Sequence, residues 1–264
     1  MRIALGLEYD GAPFAGWQTQ PAGNTVQDAL EKALAKVAGA PVRVVCAGRT
    51  DAGVHAAAQV VHFDSPVHRP ENAWVRGVNA HLPDSIAVRW SRTVADDFHA
   101  RFSARSRSYR YALLNHAVRP ALLHGKVGWF HLPLDTEAMR TGAAFLVGEK
   151  DFSAFRAAGC QARSPVKTLH RAEVSRQGDI IVFDFCASAF LHHMVRNLVG
   201  ALVYVGKGAH PPDWIGELID GRDRRLAAPT FSPSGLYLSG VEYEAHWQLP
   251  MNGRIIAPFD PLGL

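Results

Sequence analysis

Cysteine is scarce in this sequence. Its 264 residues include three, Cys46, Cys160 and Cys186, and none forms a CxxC pair. That excludes a disulfide framework, speaks against a structural zinc site, and makes a reducing cytoplasm the expected location. Long apolar runs are also missing. The richest stretch, Phe190 to Val205, is broken by His192, His193 and Arg196. Nothing approaches the roughly 18 uninterrupted apolar residues of a spanning helix, so no membrane partner is expected. Ile3 to Leu7 precedes Glu8 and Asp10, which is too short for the core of a secretory leader. Strong net charge is absent as well: 28 Lys and Arg against 24 Asp and Glu leave +4, far from a histone-like tail. Hydrophobic residues at 48% and charged residues at 20% rule out a disordered chain. The length fits one large or two small domains.

Several catalytic signatures are absent. No GxSxG exists, so an α/β-hydrolase has no support. Gly200 to Lys207 imitates a phosphate loop, but five residues separate its glycines and no Ser or Thr follows the Lys. His192 and His193 lack the His-x-x-x-His spacing of a zinc helix.

Acidic residues are missing in blocks. None occurs from Phe98 to Leu134, a window that holds Arg101, Arg105, Arg107, Arg110, Arg119 and Lys126. It also carries Phe102, Tyr109, Tyr111, Trp129 and Phe130. Phe152 to Ala172 and Phe185 to Pro212 are acid-free too. Cations without carboxylates, interleaved with aromatic faces, suit a nucleic acid. Chance clustering on a solvated face accounts for them equally well, and composition leaves both readings open.

The pattern of elements runs twice. Residues 2–10 read as a strand ending at the turn signal Asp10-Gly11. Thr25, with Asp28 three residues on, caps a helix whose Val26, Leu30, Ala33, Leu34 and Val37 form one stripe, stopped by Gly39 and Pro41. Strands are expected at 42–46, 59–63 and 86–90, with a helix over 72–82. The second half has strands at 108–114, 168–175 and 180–186, helices over 136–147 and 190–206, a further helix after Pro211-Pro212, and a closing strand near 236–243. The order resembles a split βαβ unit used twice, giving an α+β fold: two ferredoxin-like or RRM-like halves around an antiparallel sheet with helices packed on it. The expected division is 1–104, 105–245 and a tail, 246–264, of unassigned role.

One loop stands out. Gly48-Arg49-Thr50-Asp51-Ala52-Gly53-Val54-His55 lies between two strands and gathers an Arg, a Thr, an Asp and a His between glycines. Loops of that polarity tend to carry function. A plain turn in which Asp51 caps its own backbone beside Gly53 is the other reading. Arg196 lies off the apolar stripe of its helix, near His192 and His193.

The loop resembles the signature of the tRNA pseudouridine synthase A family, and the likeness extends along the chain. It includes Tyr9-Asp10-Gly11, Gly16-Trp17-Gln18, Asp97-Phe98-His99-Ala100-Arg101-Phe102, Tyr109-Arg110-Tyr111 and Phe152-Ser153-Ala154-Phe155-Arg156. Phe190-Leu191-His192-His193-Met194-Val195-Arg196-Asn197 and Gly235-Leu236-Tyr237-Leu238 complete it, in family order over residues 1–245. Phe14 stands where many relatives have Tyr. The resemblance implies an isomerase that converts uridine to pseudouridine at positions 38, 39 and 40 of the tRNA anticodon stem-loop. It implies a homodimer with no metal and no organic cofactor. It assigns Asp51 as the catalytic nucleophile or base, and Arg196 as its basic partner. Tyr109 would stack on the target base, Leu236 would line the other side of the pocket, and Arg49 would help hold the flipped nucleotide. Two further readings stand beside it: a noncatalytic RNA-binding module, and a metalloenzyme using His192, His193 and a cysteine.

Overall fold

The computed structural model describes residues 1–250. The chain forms two compact units. The first holds Met1–Arg105 together with the described residues from Tyr237 on, and the second holds Ser106–Leu236.

In the first unit, β1 (Arg2–Tyr9) lies between β4 (Ile86–Val94) and β3 (His55–Asp64), antiparallel to both. The short β2 (Val45–Cys46) adds to the far side of β3. With α1 (Val26–Ala38) after β1 and α2 (Glu71–Asn79) after β3, the order 4-1-3-2 is that of a ferredoxin-like unit. Thr25 caps α1 as its spacing predicts: Oγ1 accepts from Asp28 N at 3.2 Å and donates to Asp28 Oδ2 at 2.6 Å. Gly39 ends the helix with φ 72°. The buried stripe is Val26, Leu30, Ala33 and Leu34, while α2 buries Trp74 and Val78.

The expected closing strand, β10 (Leu236–Tyr243), pairs with β3: Tyr237 with His55 and Leu238 with Ala56, in parallel. Chain order had hidden this, because hydrophobic alternation shows that a strand exists and not which neighbour it takes. Trp247 and Leu249 pack on the buried cluster of Ala4, Ala47, Val60, Phe98 and Ala100. Packing therefore continues past residue 246, the expected start of the tail; residues 251–264 of that segment lie outside the described ones.

In the second unit, the order is β5 (Ala104–Asn115), β9 (Ile180–Ala187), β8 (Val166–Gln177) and β7 (Gly148–Asp151), all antiparallel. The three-residue β6 (Gly128–Phe130) pairs with β5 in parallel. The sheet pairing is thus mixed, where only antiparallel ladders had been expected. Tyr109, Tyr111 and Leu113 of β5 are buried, and opposite Arg110 on β9 sits Asp184. Their carboxylate and guanidinium meet at 2.9 and 3.2 Å. Of this unit's helices, α3 (Thr136–Ala144) packs on β8 and against α4 (Met194–Gly206), and α5 (Trp214–Gly221) packs on β7. The helix expected from Phe190 begins at Met194, because His193 has φ 60°, a left-handed conformation that no helix continues through.

Candidate active site

The Gly48–His55 loop is fixed by β3, which follows it, and by the sequence motifs that precede it. It leaves β2 at Ala47, whose N–H donates to Val60 O at 2.8 Å. Gln59 Nε2 donates to Gly48 O at 2.7 Å. Thr50 is buried, with its Oγ1 2.8 Å from Tyr9 Oη and its carbonyl accepting from Trp17 N at 2.9 Å. Val54 N donates to Asp51 O at 3.1 Å, and Gly53 has φ 75°. That is a turn with glycine at its third residue, as a type II turn requires.

Two glycines of the opening motifs are there for space. A Cβ on Gly11 would lie 1.9 Å from Val54 O. One on Gly16 would lie 2.9 Å from Thr50 O, and its φ of 101° already favours glycine. The opening motifs thus form the cradle of the loop: the Tyr9 hydroxyl, the Gly11 backbone, the Gly16 turn and the Trp17 amide hold it from one side. His55 is buried at its end, with its ring stacked on Tyr237 at 4.6 Å and Nδ1 3.0 Å from Asp10 Oδ1.

With its anchors buried, the loop shows its polar side chains. Arg49 is exposed and Asp51 is half-buried. Beneath them Cys46 is buried and its thiol is pushed up to about 12 by desolvation, against the pull of the nearby Arg49 and Arg101 cations. That thiol stays protonated and inert at neutral pH.

The second unit carries the other three candidates. Tyr109 lies on β5, 8% exposed, its ring edge-to-face with Phe190 at 5.0 Å. Arg196 lies in the first turn of α4. Its Nε donates to Phe231 O at 2.9 Å, and its own carbonyl accepts from Phe231 N at 3.2 Å. This reciprocal pair ties the segment before β10 to α4. Next to it Asn197 is fully buried, donating to Phe155 O and accepting from Thr230 Oγ1 and Arg224. Leu236 is buried at the start of β10, its N–H bonded to Pro233 O at 2.9 Å. His192 and His193 have ring centroids 4.0 Å apart, and His192 N donates to Cys160 Sγ at 3.4 Å.

Arg49 and Asp51 therefore share one loop of the first unit, and Arg196 and Leu236 flank one connected segment of the second. Sequence reasoning named Tyr9, Thr50 and Asn197 within motifs but gave them no supporting role, and it missed Gln59, Arg224 and Thr230 altogether. Buried Asn197 carries a readable signal, a polar residue inside an otherwise apolar helix.

A family model described as tRNA pseudouridine synthase matches residues 7–103 and 143–244. Among curated proteins, the chain is 67% identical to a tRNA pseudouridine synthase A of Dechloromonas aromatica, over 95% of each chain. It is 63% identical to one of Aromatoleum aromaticum over 97% of each. A third, from Methylobacillus flagellatus, is 62% identical over 96% of this chain and 97% of its own.

Proposed function

We infer the activity from family membership: this chain belongs to the tRNA pseudouridine synthase family, and it isomerises uridine to pseudouridine in tRNA. We propose positions 38, 39 and 40 of the anticodon stem-loop as its targets, following the resemblance of the motifs. The reaction breaks the N1–C1′ bond, turns the uracil and joins C5 to C1′. The C5 hydrogen leaves as a proton, N1 gains one, and mass is conserved.

The observation that supports the assignment of roles is the clamped turn at Asp51. The backbone that carries Asp51 is held by main-chain hydrogen bonds and by the buried Thr50 hydroxyl, on a loop that also presents Arg49. A binding module gains nothing from a carboxylate offered to phosphates, whereas a nucleophile or base is what this isomerisation needs. Asp51 is the reacting group and Arg49 holds the nucleotide. Tyr109 stacks on the target base, Leu236 packs against it, and Arg196 supplies the cation that keeps a desolvated carboxylate ionised. The target uridine leaves its stack to react. The active species is a homodimer and works in the cytoplasm; no helix among the described residues is long and apolar enough to cross a membrane.

The test uses unmodified tRNA carrying tritium at uridine C5. Wild-type protein releases tritium. Asp51→Asn and Asp51→Ala release none in a single turnover yet bind tRNA as tightly as wild type, since affinity comes from cations on phosphates. Near-normal release by Asp51→Asn would refute the catalytic assignment and favour the RNA-binding module.

A further inference from the structure

The connection between β4 and β5 is a built turn with one large side chain left outside. Phe98 and Ala100 are fully buried in the cluster that contains Ala47, the residue from which the Asp51 loop departs. The Ala100 carbonyl accepts from Tyr243 Oη at 2.6 Å, and the Ala100 N–H donates to His62 Nδ1 at 3.1 Å. His99 and Ser103 bond twice: Ser103 N to His99 O at 2.8 Å, and His99 N to Ser103 Oγ at 3.0 Å. The Arg101 and Phe102 amides both approach His99 Nδ1 at 3.2 Å. Little freedom is left to this backbone.

Three rings run outward from the core, the inner pair tilted at 58° and the outer pair stacked. The ring centroids of His62 and His99 are 4.8 Å apart, and those of His99 and Phe102 are 4.3 Å apart at an interplanar angle of 28°. Phe102 ends the stack and is 76% exposed. The Arg101 guanidinium lies 5.7 Å from its centroid. A single exposed apolar residue is ordinary. This one differs in being held rigid by a stack, flanked by a cation, and rooted in the same buried cluster as the Asp51 loop. The Arg49 and Arg101 cations both act on the buried Cys46 thiol. A flat hydrophobic face beside cations complements a nucleobase with its phosphate.

We propose that Phe102 is a stacking platform for an unpaired base of the tRNA substrate, distinct from the target uridine, with Arg101 contacting the same nucleotide. The proposal rests on the reading of this chain as an enzyme acting on tRNA. The rigid turn means that little ordering entropy is lost when the base arrives.

The experiment measures filter-binding affinity for an unmodified tRNA transcript across a salt series, alongside single-turnover tritium release. Release by wild-type protein upholds the parent reading, and its absence overturns both. Phe102→Ala loses about 10-fold or more in affinity, Phe102→Leu loses about as much, and Phe102→Trp retains wild-type affinity, because stacking needs a π face. The dependence of affinity on salt stays parallel in all four proteins, because no phosphate contact is removed. Phe102 is exposed, so each variant folds, and an unchanged urea midpoint verifies it. Binding by Phe102→Ala within about 2-fold of a wild type that releases tritium overturns the platform alone. Full affinity in Phe102→Leu, loss in Phe102→Trp, or an altered salt slope overturns it equally.

Discussion

Acidification should weaken the first unit through His62. This imidazole is buried on β3, and its Nδ1 accepts the Ala100 N–H at 3.1 Å. Burial, helped by His99 and Arg2 and opposed only by Asp64, holds it well below the ordinary range, at about 4 instead of 6.5. Above pH 6.5 the ring is neutral in folded and unfolded chains alike, and the full stability is present. Between 6.5 and 4 the unfolded chain takes up a proton that the folded one refuses, so stability falls with pH. Each tenfold change in proton affinity between the two states is worth about 1.4 kcal/mol, which puts the loss between pH 7.5 and pH 5.0 at about 2 kcal/mol. Protonation of Nδ1 also displaces the Ala100 N–H, so the Phe98–Ser103 turn is released first. Urea unfolding followed by far-UV circular dichroism at the two pH values measures the loss. His62→Asn offers an oxygen near the place of Nδ1 and does not titrate, so its loss should be smaller by about the same 2 kcal/mol. An equal pH dependence in the two proteins would refute the reasoning.

Tyr109→Phe keeps the ring face, so it should bind tRNA within about 2-fold of wild type while Tyr109→Ala weakens binding at least several-fold; a large loss in the Phe variant would contradict the stacking role. Survival of its single-turnover rate would show that the phenol carries no essential proton. Light scattering of the active protein should give twice the mass of the chain, and full activity in a strictly monomeric sample would remove the homodimer from the proposal.

Local chemistry was the most legible part of the sequence. The Thr25 cap, the Gly39 stop and the alternation of Tyr109, Tyr111 and Leu113 all act within one turn or one strand, and the fold keeps each of them. Pairing partners were not legible, because alternation is blind to neighbours: β10 pairs with β3 in parallel, and β6 pairs with β5 in parallel. The helix start at Met194 was misjudged by four residues because His192 and His193 carry no mark of a positive φ; only the backbone reveals it. The Asp51 loop was identified by its composition, but the reason for the distant Tyr9-Asp10-Gly11 and Gly16-Trp17 motifs emerges only in three dimensions, where Thr50 O, Thr50 Oγ1 and Val54 O fill the space around them.

Acid-free windows in sequence are not acid-free regions in space, and the difference changes how affinity should be apportioned. Arg105 is paired with Glu244, Arg110 with Asp184, and Arg171 faces Glu173 at 3.8 Å. Arg156 donates to the carbonyls of Cys160 and Ala162, and Arg107 to that of Ser188. These guanidiniums already have partners within the protein, and a cation paired with a carboxylate releases few counterions when phosphate approaches. The arginine count of the windows therefore overstates the electrostatic share of tRNA binding. What remains must be made up by contacts that salt does not screen, and the stacked, exposed ring of Phe102 is of that kind. On the proposal above, charge brings the substrate in and the Phe102 face adds a contact that salt does not screen.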